Sequence, residues 1–126
     1  MSDTPAASAP APWPTELRLT PDKHALVISF EDGARFTLPA EYLRVESPSA
    51  EVQGHAPHEK ITVPGKRMVR IVQVDPVGSY AARLVFDDNH STGLYTWDLL
   101  RTLGEEQEQR FGAYLDELNI QGLSRG

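Results

Sequence analysis

In the stretch LVISFEDGARFTL, residues 26–38, two apolar runs flank a turn sequence. Every second residue is apolar in both runs, which is typical of strands with one buried face. A two-residue loop would split the apolar side chains between the two faces of the hairpin. A three-residue loop that ends at Gly33 places Ile28 opposite Phe36 and keeps them on one face, with Gly33 in the left-handed conformation. The segment therefore predicts an antiparallel hairpin with a defined register.

Further strands are predicted on both sides of this hairpin. Upstream, residues 17–19 show the same alternation of apolar and polar side chains. Downstream, apolar runs over 69–74 and 80–86 are joined by a turn at 76–78, and a short strand follows at 93–96. The pattern predicts a second hairpin after the first.

Two helices are predicted after these strands. Thr96 is suited to cap the first helix, which runs from Trp97 and is expected to end at Gly104. The second opens with acidic residues, as helix N-termini favour, and carries an apolar stripe that packs on the sheet. The stripe consists of Phe111, Tyr114, Leu115 and Leu118.

These patterns predict a single α+β domain, an antiparallel β-sheet built from hairpins with a C-terminal helical segment packed on it. A chain of 126 residues has enough length for one core. Residues 1–13 are mostly small residues and prolines, so we expect a disordered tail there. The domain covers 14–104, and 105–126 form its C-terminal helix and tail.

The composition excludes several classes of function. Because the chain has no cysteine, it cannot form disulfides, thiolate zinc sites or cysteine nucleophiles. A net charge of -6 disfavours nucleic acid as a partner. The sequence has no apolar stretch long enough to span a bilayer and no signal-peptide pattern. We therefore expect a cytoplasmic protein with no membrane or nucleic-acid partner.

Four segments occur in the order typical of one family: 17–33, 42–55 (YLRVESPSAEVQGH), 65–71 (GKRMVRI) and 75–100, which contains GLYTW. Over about residues 14–104 the chain resembles the gamma-butyrobetaine hydroxylase-like N-terminal domain. The resemblance implies a domain that stands alone in bacteria, precedes an iron- and 2-oxoglutarate-dependent hydroxylase domain, or is attached to an iron–sulfur carrier protein. In each of these settings the resemblance implies that this domain is not the catalytic part of the protein.

In the hydroxylases the resemblance implies a zinc site of three cysteines and one histidine. The matching positions here are Ser47, Ser49, Val52 and His90. Hydroxyl and aliphatic side chains cannot replace thiolates as zinc ligands at neutral pH. We therefore expect no zinc and no other cofactor. The iron-binding residues of the hydroxylases belong to a separate domain that has no counterpart here.

A different metal site is an alternative. His55 and His58 lie three residues apart in the long polar loop 47–67, and the resemblance brings this loop toward His90. Two or three imidazoles with a carboxylate can hold a metal ion. The competing interpretation is that His55 and His58 are solvent-exposed and that His90 hydrogen bonds within its own turn.

Two further groups of residues are candidate sites. The first is a basic cluster, Lys60, Lys66, Arg67 and Arg70, which an acidic protein partner could contact. Its alternative is a solvated flank of a strand. The second is the GLYTW junction with Tyr95 and Trp97, for which we expect a structural role, aromatic rings that fill the space between sheet and helix.

No catalytic residue is predicted from the sequence. We expect a non-catalytic accessory or protein-interaction domain, linked to iron–sulfur or metal homeostasis through the resemblance, whose partner is an unknown protein such as an iron–sulfur carrier. A small metal-binding protein that uses the loop histidines, and an enzyme with an unrecognised site, are the alternatives. A homodimer also stays open.

Overall fold

The first three strands form one antiparallel sheet. The computed structural model describes residues 12–126, so the predicted tail lies outside the described residues except for its last two positions. The strands are β1 (Pro14–Leu19), β2 (Ala25–Phe30) and β3 (Arg35–Pro39), in the order β1-β2-β3. Each strand pairs with the next along the chain, as hairpins require.

A second antiparallel sheet contains the remaining strands. It consists of β4 (Ile71–Val77), β5 (Ala81–Phe86) and β6 (Leu94–Thr96), in the order β4-β5-β6. The predicted antiparallel architecture is confirmed, and its strands are divided between two three-stranded sheets. Within residues 12–126, no helix combines the length and the apolar character that crossing a membrane requires.

The register predicted for the first hairpin is confirmed. Ile28 pairs with Phe36, and the amide of Phe30 donates to the carbonyl of Ala34 at 2.8 Å, which leaves three residues in the loop. Gly33 has a φ of 92°, the left-handed conformation that the loop requires.

The turn of the second hairpin differs from the prediction. Pro76 lies inside β4, paired with Ala82, and the turn comes later, at 78–80. Proline is tolerated in this strand because β4 is at the edge of its sheet, where a missing amide hydrogen need not break the ladder. Gly78, with a φ of 55°, begins the turn.

Between the two sheets the chain forms short helices. They are α1 (Ala40–Val45) and α2 (Ala50–Gln53), followed by a 3-10 turn at Pro57–Glu59. The long polar segment predicted as a loop therefore contains regular structure. Ser49 caps α2, since its hydroxyl accepts from the Glu51 amide at 3.2 Å.

The C-terminal helices are α3 (Trp97–Glu105) and α4 (Gln107–Ile120). Thr96 caps α3 as predicted, accepting from the Leu99 amide at 3.1 Å. The expectation that Gly104 ends this helix is wrong, because α3 continues through it. A Cβ at Gly104 would lie 2.6 Å from the ring of Phe36, so the glycine allows α3 to pack closely on β3.

One main core joins both sheets to α1 and α3. Its largest fully buried side chains include Tyr42, Tyr95 and Phe86, surrounded by leucine and isoleucine from the strands. A smaller cluster forms where Tyr114 and Leu118 of α4 pack with Val45, Val63 and Phe111. Of the stripe predicted on α4, Leu115 is mostly on the solvent side.

The last residues are attached to the domain. Arg125 makes two hydrogen bonds to the buried carboxylate of Glu41, at 2.6 and 2.9 Å, and its guanidinium lies over the ring of Phe111. The amides of Gly65 and Arg67 donate to the carbonyls of residues 124 and 125. This segment therefore covers α1 and the neighbouring loop.

Candidate functional site

The positions that match the zinc ligands of the resemblance lie between α1 and the turn before β6. Ser47 and Ser49 follow α1, Val52 is in α2, and His90 is in the turn that joins β5 to β6. All four are buried. The fold thus brings the two hydroxyls and the imidazole together, although they are far apart in sequence.

Both ring nitrogens of His90 are hydrogen bonded. Nε2 lies 2.8 Å from the hydroxyl of Ser47, and Nδ1 lies 2.9 Å from a carboxylate oxygen of Glu51. The histidine side chain is only 2% exposed, whereas that of Glu51 is 63% exposed. We name this group, Ser47, Glu51 and His90, the His90 array.

The protonation state of His90 follows from its surroundings. Burial lowers the pKa of His90 below its usual value of 6.5, and the positive charge of Arg44 adds to this effect against the opposing influence of Glu51. A neutral imidazole donates from one nitrogen and accepts at the other. With Nδ1–H donating to Glu51, Nε2 accepts the Ser47 hydroxyl hydrogen.

The His90 array has the order of a catalytic hydroxyl, base and acid, but its packing does not admit a substrate. Ser47 is 0% exposed. A Cβ added at Gly93 would lie only 2.6 Å from the Ser47 hydroxyl, which shows how closely the turn covers that oxygen. An acyl group cannot reach Ser47 unless the turn moves. The array instead connects α1, α2 and the turn.

Further hydrogen bonds connect the segment after α1 to the turn before β6. The hydroxyls of Ser49 and Thr92 are 2.6 Å apart, and the Ser49 amide donates to the Ser47 hydroxyl at 3.2 Å. The turn itself is closed by the Phe86 amide, which donates to the His90 carbonyl at 2.9 Å. The backbone of His90 is therefore hydrogen bonded within its own turn, as one of the two interpretations expects. Its ring instead points inward, to Ser47 and Glu51.

The donors at these positions do not fit a zinc ion. Two of the four positions offer hydroxyls, the third is an aliphatic side chain with no donor atom, and the fourth is an imidazole whose two nitrogens already have partners. Across residues 12–126, no three histidine, cysteine, aspartate or glutamate side chains are grouped so that they could hold a metal.

The predicted metal ligands His55 and His58 lie on the surface. The side chain of His58 is 82% exposed and approaches Glu59 at 4.0 Å, and His55 is exposed with its amide bonded to the Glu59 carboxylate at 2.7 Å. The ring of His90 is buried in its own array. The structure therefore places two of the three histidines at the surface and the third inside.

Three residues of the predicted basic cluster form ion pairs. Lys60 pairs with Glu46 at 3.3 Å, and Lys66 pairs with Asp88 at 2.7 Å. Arg70 pairs with Asp87 at 3.3 Å. Arg67 is exposed, with no side-chain ion pair among the residues that the structure describes. Much of the positive charge is thus balanced by neighbouring carboxylates.

Asp88 connects this cluster to the His90 array. Its carboxylate accepts from Lys66 and Arg44, and also from the His90 amide at 3.1 Å. Burial alone would raise the pKa of Asp88, but these hydrogen bonds lower it to about 2. Lys66 is therefore part of the folded structure rather than a free surface cation.

Tyr95 and Trp97 have different environments at the GLYTW junction. Tyr95 is completely buried, its hydroxyl donates to the Leu43 carbonyl at 2.5 Å, and burial raises its pKa. Trp97 is only partly buried and its indole donates to the Ser79 carbonyl at 2.8 Å. The expected structural role at this junction falls mainly on Tyr95.

Sequence reasoning missed a cleft of about 470 Å³ beside α4. We name it the α4 cleft. It lies between α4, the end of α1 and residues 58–62. It is lined by Val45, Glu46, His58, Lys60, Ile61, Thr62, Arg110, Ala113, Tyr114, Glu117 and Gln121.

A buried carboxylate organises one end of the α4 cleft. Glu46 is buried, and one of its oxygens accepts from Lys60 at 3.3 Å and from Arg110 at 3.2 Å. Arg110 also donates to Glu106 at 2.8 Å. Since Glu46 and Arg110 are 64 residues apart, no local pattern in the sequence could have indicated this pair.

Comparison with known proteins identifies the family. The model for the family described as "Gamma-butyrobetaine hydroxylase-like, N-terminal" matches residues 17–101. The chain belongs to this family. The resemblance stated from the sequence is thereby confirmed. The curated proteins contain no match to this gamma-butyrobetaine hydroxylase-like domain.

Solved structures share the fold of this gamma-butyrobetaine hydroxylase-like domain. One NMR solution structure is 43% identical, with 90% of each chain covered and a TM-score of 0.78. Another is 42% identical, covers 99% of this chain and 90% of its own, and has a TM-score of 0.80. A crystal structure from Acidithiobacillus ferrooxidans, a protein of unknown function in the DUF971 family, is 38% identical over 72% of this chain and 91% of its own, with a TM-score of 0.60.

Proposed function

We propose that this gamma-butyrobetaine hydroxylase-like domain is a cytosolic, non-catalytic accessory domain that binds another protein through the α4 cleft. The observation that carries the proposal is the pair of cations held at the cleft by Glu46. Lys60 is exposed and Arg110 is partly buried, and each has N–H groups beyond those bonded to protein among residues 12–126. Such groups favour recognition of a polar partner.

The His90 array supports the non-catalytic part of the proposal. A hydroxyl, an imidazole and a carboxylate in sequence are the groups most suited to chemistry in this chain, yet Ser47 and His90 bond to each other beneath the turn. A nucleophile must be reachable by its substrate. The α4 cleft, by contrast, is open to a ligand.

The resemblance supports the accessory role and suggests the first partner to test. Because the family attaches this domain to hydroxylase domains and to iron–sulfur carriers, binding to a larger protein accounts for both settings. We therefore include in the proposal a partner of the iron–sulfur carrier type and a role in iron–sulfur or metal homeostasis.

Partner capture from native lysate tests the proposal. The wild-type domain, Arg110→Gln and Arg83→Gln are immobilised, and the bound proteins are quantified by mass spectrometry. Arg83 is a matched control because it is an exposed arginine outside the cleft that also pairs with a carboxylate, Asp75, at 3.1 Å. We expect Arg110→Gln to lose a partner that wild type and Arg83→Gln both retain.

Melting temperatures of the three proteins show whether each variant is folded. If wild type and Arg110→Gln capture the same proteins in the same amounts, the α4 cleft is not the binding surface. If wild type captures nothing beyond the empty matrix, the proposal of a protein-binding domain fails.

A further inference from the structure

One end of the α4 cleft carries the N–H donors of Lys60 and Arg110, whose charges are balanced by the carboxylates of Glu46 and Glu106. Among residues 12–126, Lys60 uses one of its three N–H groups on Glu46, and Arg110 uses one on Glu46 and one on Glu106. The remaining N–H groups are available to a second acceptor. Glu46 holds both cations in place, so an incoming anion need not order them.

Apolar side chains line the cleft next to these donors. Ile61 is 52% exposed, whereas Val45 and Tyr114 are only 2% and 8% exposed. The Tyr114 hydroxyl donates to the Val63 carbonyl at 2.6 Å, and burial raises the pKa of Tyr114 to about 12, so this group stays neutral and engaged. The accessible apolar surface of the cleft is therefore that of Ile61 and Ala113.

The other end of the cleft accepts hydrogen bonds and positive charge. Glu117 follows Arg110 by seven residues on α4, which is about 10 Å along a helix axis. Gln121 lies beside it and donates to both Glu117 and Thr62, at 2.7 and 3.1 Å. A ligand that runs along the cleft thus meets cations first, an apolar surface next and a carboxylate last.

We propose that the α4 cleft binds the C-terminal carboxylate of a partner protein whose last residue is apolar; this inference rests on the proposed function. In a C-terminal residue the carboxylate and the side chain are bonded to the same Cα. An apolar C-terminal residue can therefore place its carboxylate on Lys60 and Arg110 while its side chain covers Ile61. In aspartate and glutamate the carboxylate is the side chain, so the same residue carries no separate apolar side chain.

The direction of the bound chain follows from the acidic end. An extended chain advances about 3.3 Å per residue, so the stretch from Arg110 to Glu117 accommodates about three residues. The backbone N–H groups that precede the C-terminus then lie toward Glu117 and Gln121. A lysine or arginine about three positions before the end strengthens binding through Glu117.

NMR titration of the full chain with short peptides tests the inference. The probe is a pool of synthetic peptides that end in leucine, isoleucine, valine or phenylalanine with a free carboxylate. The matched control is the same pool with a C-terminal amide. We expect the free-acid pool to shift the backbone amide signals of residues 58–62 and 110–121, and the amide pool to shift them about tenfold less at equal concentration.

Variants locate the carboxylate contact. Lys60→Gln and Arg110→Gln are each expected to weaken free-acid binding by about tenfold, whereas Arg83→Gln leaves it unchanged. Equal binding of the acid and amide pools, or no shifts in the cleft with either pool, overturns the inference. If the peptides fail while Arg110→Gln still abolishes partner capture, the ligand class is wrong and the proposed function stands. If the peptides fail and Arg110→Gln also leaves partner capture unchanged, both the ligand class and the proposed function are rejected.

Discussion

Replacement of Gly93 by alanine tests how closely the turn covers the His90 array. The added Cβ would lie 2.6 Å from the Ser47 hydroxyl, 3.1 Å from Pro48 and 3.3 Å from the ring of Tyr95. Overpacking of this kind costs about 1–3 kcal/mol. Rotation of Ser47 away from the clash would leave the buried nitrogen of His90 unpaired, at a further cost of about 1–3 kcal/mol. We therefore expect Gly93→Ala to lower the free energy of unfolding by about 2–6 kcal/mol.

Two further proteins show whether the Ser47 hydroxyl causes this loss. In Gly93→Ala/Ser47→Ala the clashing oxygen is absent, so the double variant should be more stable than the sum of the single effects by at least about 1 kcal/mol. Gly112→Ala is the control, because a Cβ there meets nothing within 4 Å and α4 continues through it. It should be neutral or stabilising by up to about 1 kcal/mol.

Urea unfolding followed by tryptophan fluorescence provides the free energies, and the slopes show whether all proteins unfold in the same way. If Gly93→Ala were as stable as Gly112→Ala, the turn would have space above Ser47. A substrate could then reach Ser47, and the His90 array would not be closed.

Three other predictions concern the same domain. Because burial lowers the pKa of His90, the unfolded state binds more protons than the folded state, and the free energy of unfolding should fall as the pH drops below about 6.5. His90→Gln should flatten this dependence when unfolding is measured between about pH 7 and pH 5. Arg125→Gln should cost about 2–3 kcal/mol in urea unfolding by leaving the buried Glu41 unpaired, whereas Arg18→Gln, in an exposed pair, should stay within about 0.5 kcal/mol. Stoichiometric zinc should not raise the melting temperature and EDTA should not lower it; a rise or fall in thermal denaturation would contradict the absence of a zinc site.

The sequence predicts local features of the fold well where chain geometry is restrictive. The register of Ile28 with Phe36 follows from a loop of three residues, since a two-residue loop would divide the apolar side chains between two faces. The cap at Thr96 follows from its side chain and the helix after it. The position of Pro76 could not be predicted, because proline in a strand is allowed only at an edge, and the order of strands is a property of the whole fold.

The candidate site is less predictable because its contacts join distant parts of the chain. His90 was a candidate ligand by sequence, but its bonds to Ser47 and Glu51 depend on how α1 and α2 pack on the turn. Lys60 and Lys66 were predicted as one basic cluster, yet their charges are balanced by Glu46 and Asp88 from other segments. The sequence alone shows the charges but not their partners.

A single binding measurement compares the α4 cleft with the His90 array as the functional site. The dissociation constant of the captured partner is measured for wild type, Arg110→Gln and Glu51→Gln. Glu51 is the exposed member of the array, so its replacement removes an acid in the catalytic order without opening the core. We expect Arg110→Gln to weaken binding by about tenfold and Glu51→Gln to leave it unchanged. Loss of binding in Glu51→Gln with full binding in Arg110→Gln would contradict a role for the α4 cleft and would place the function at the His90 array.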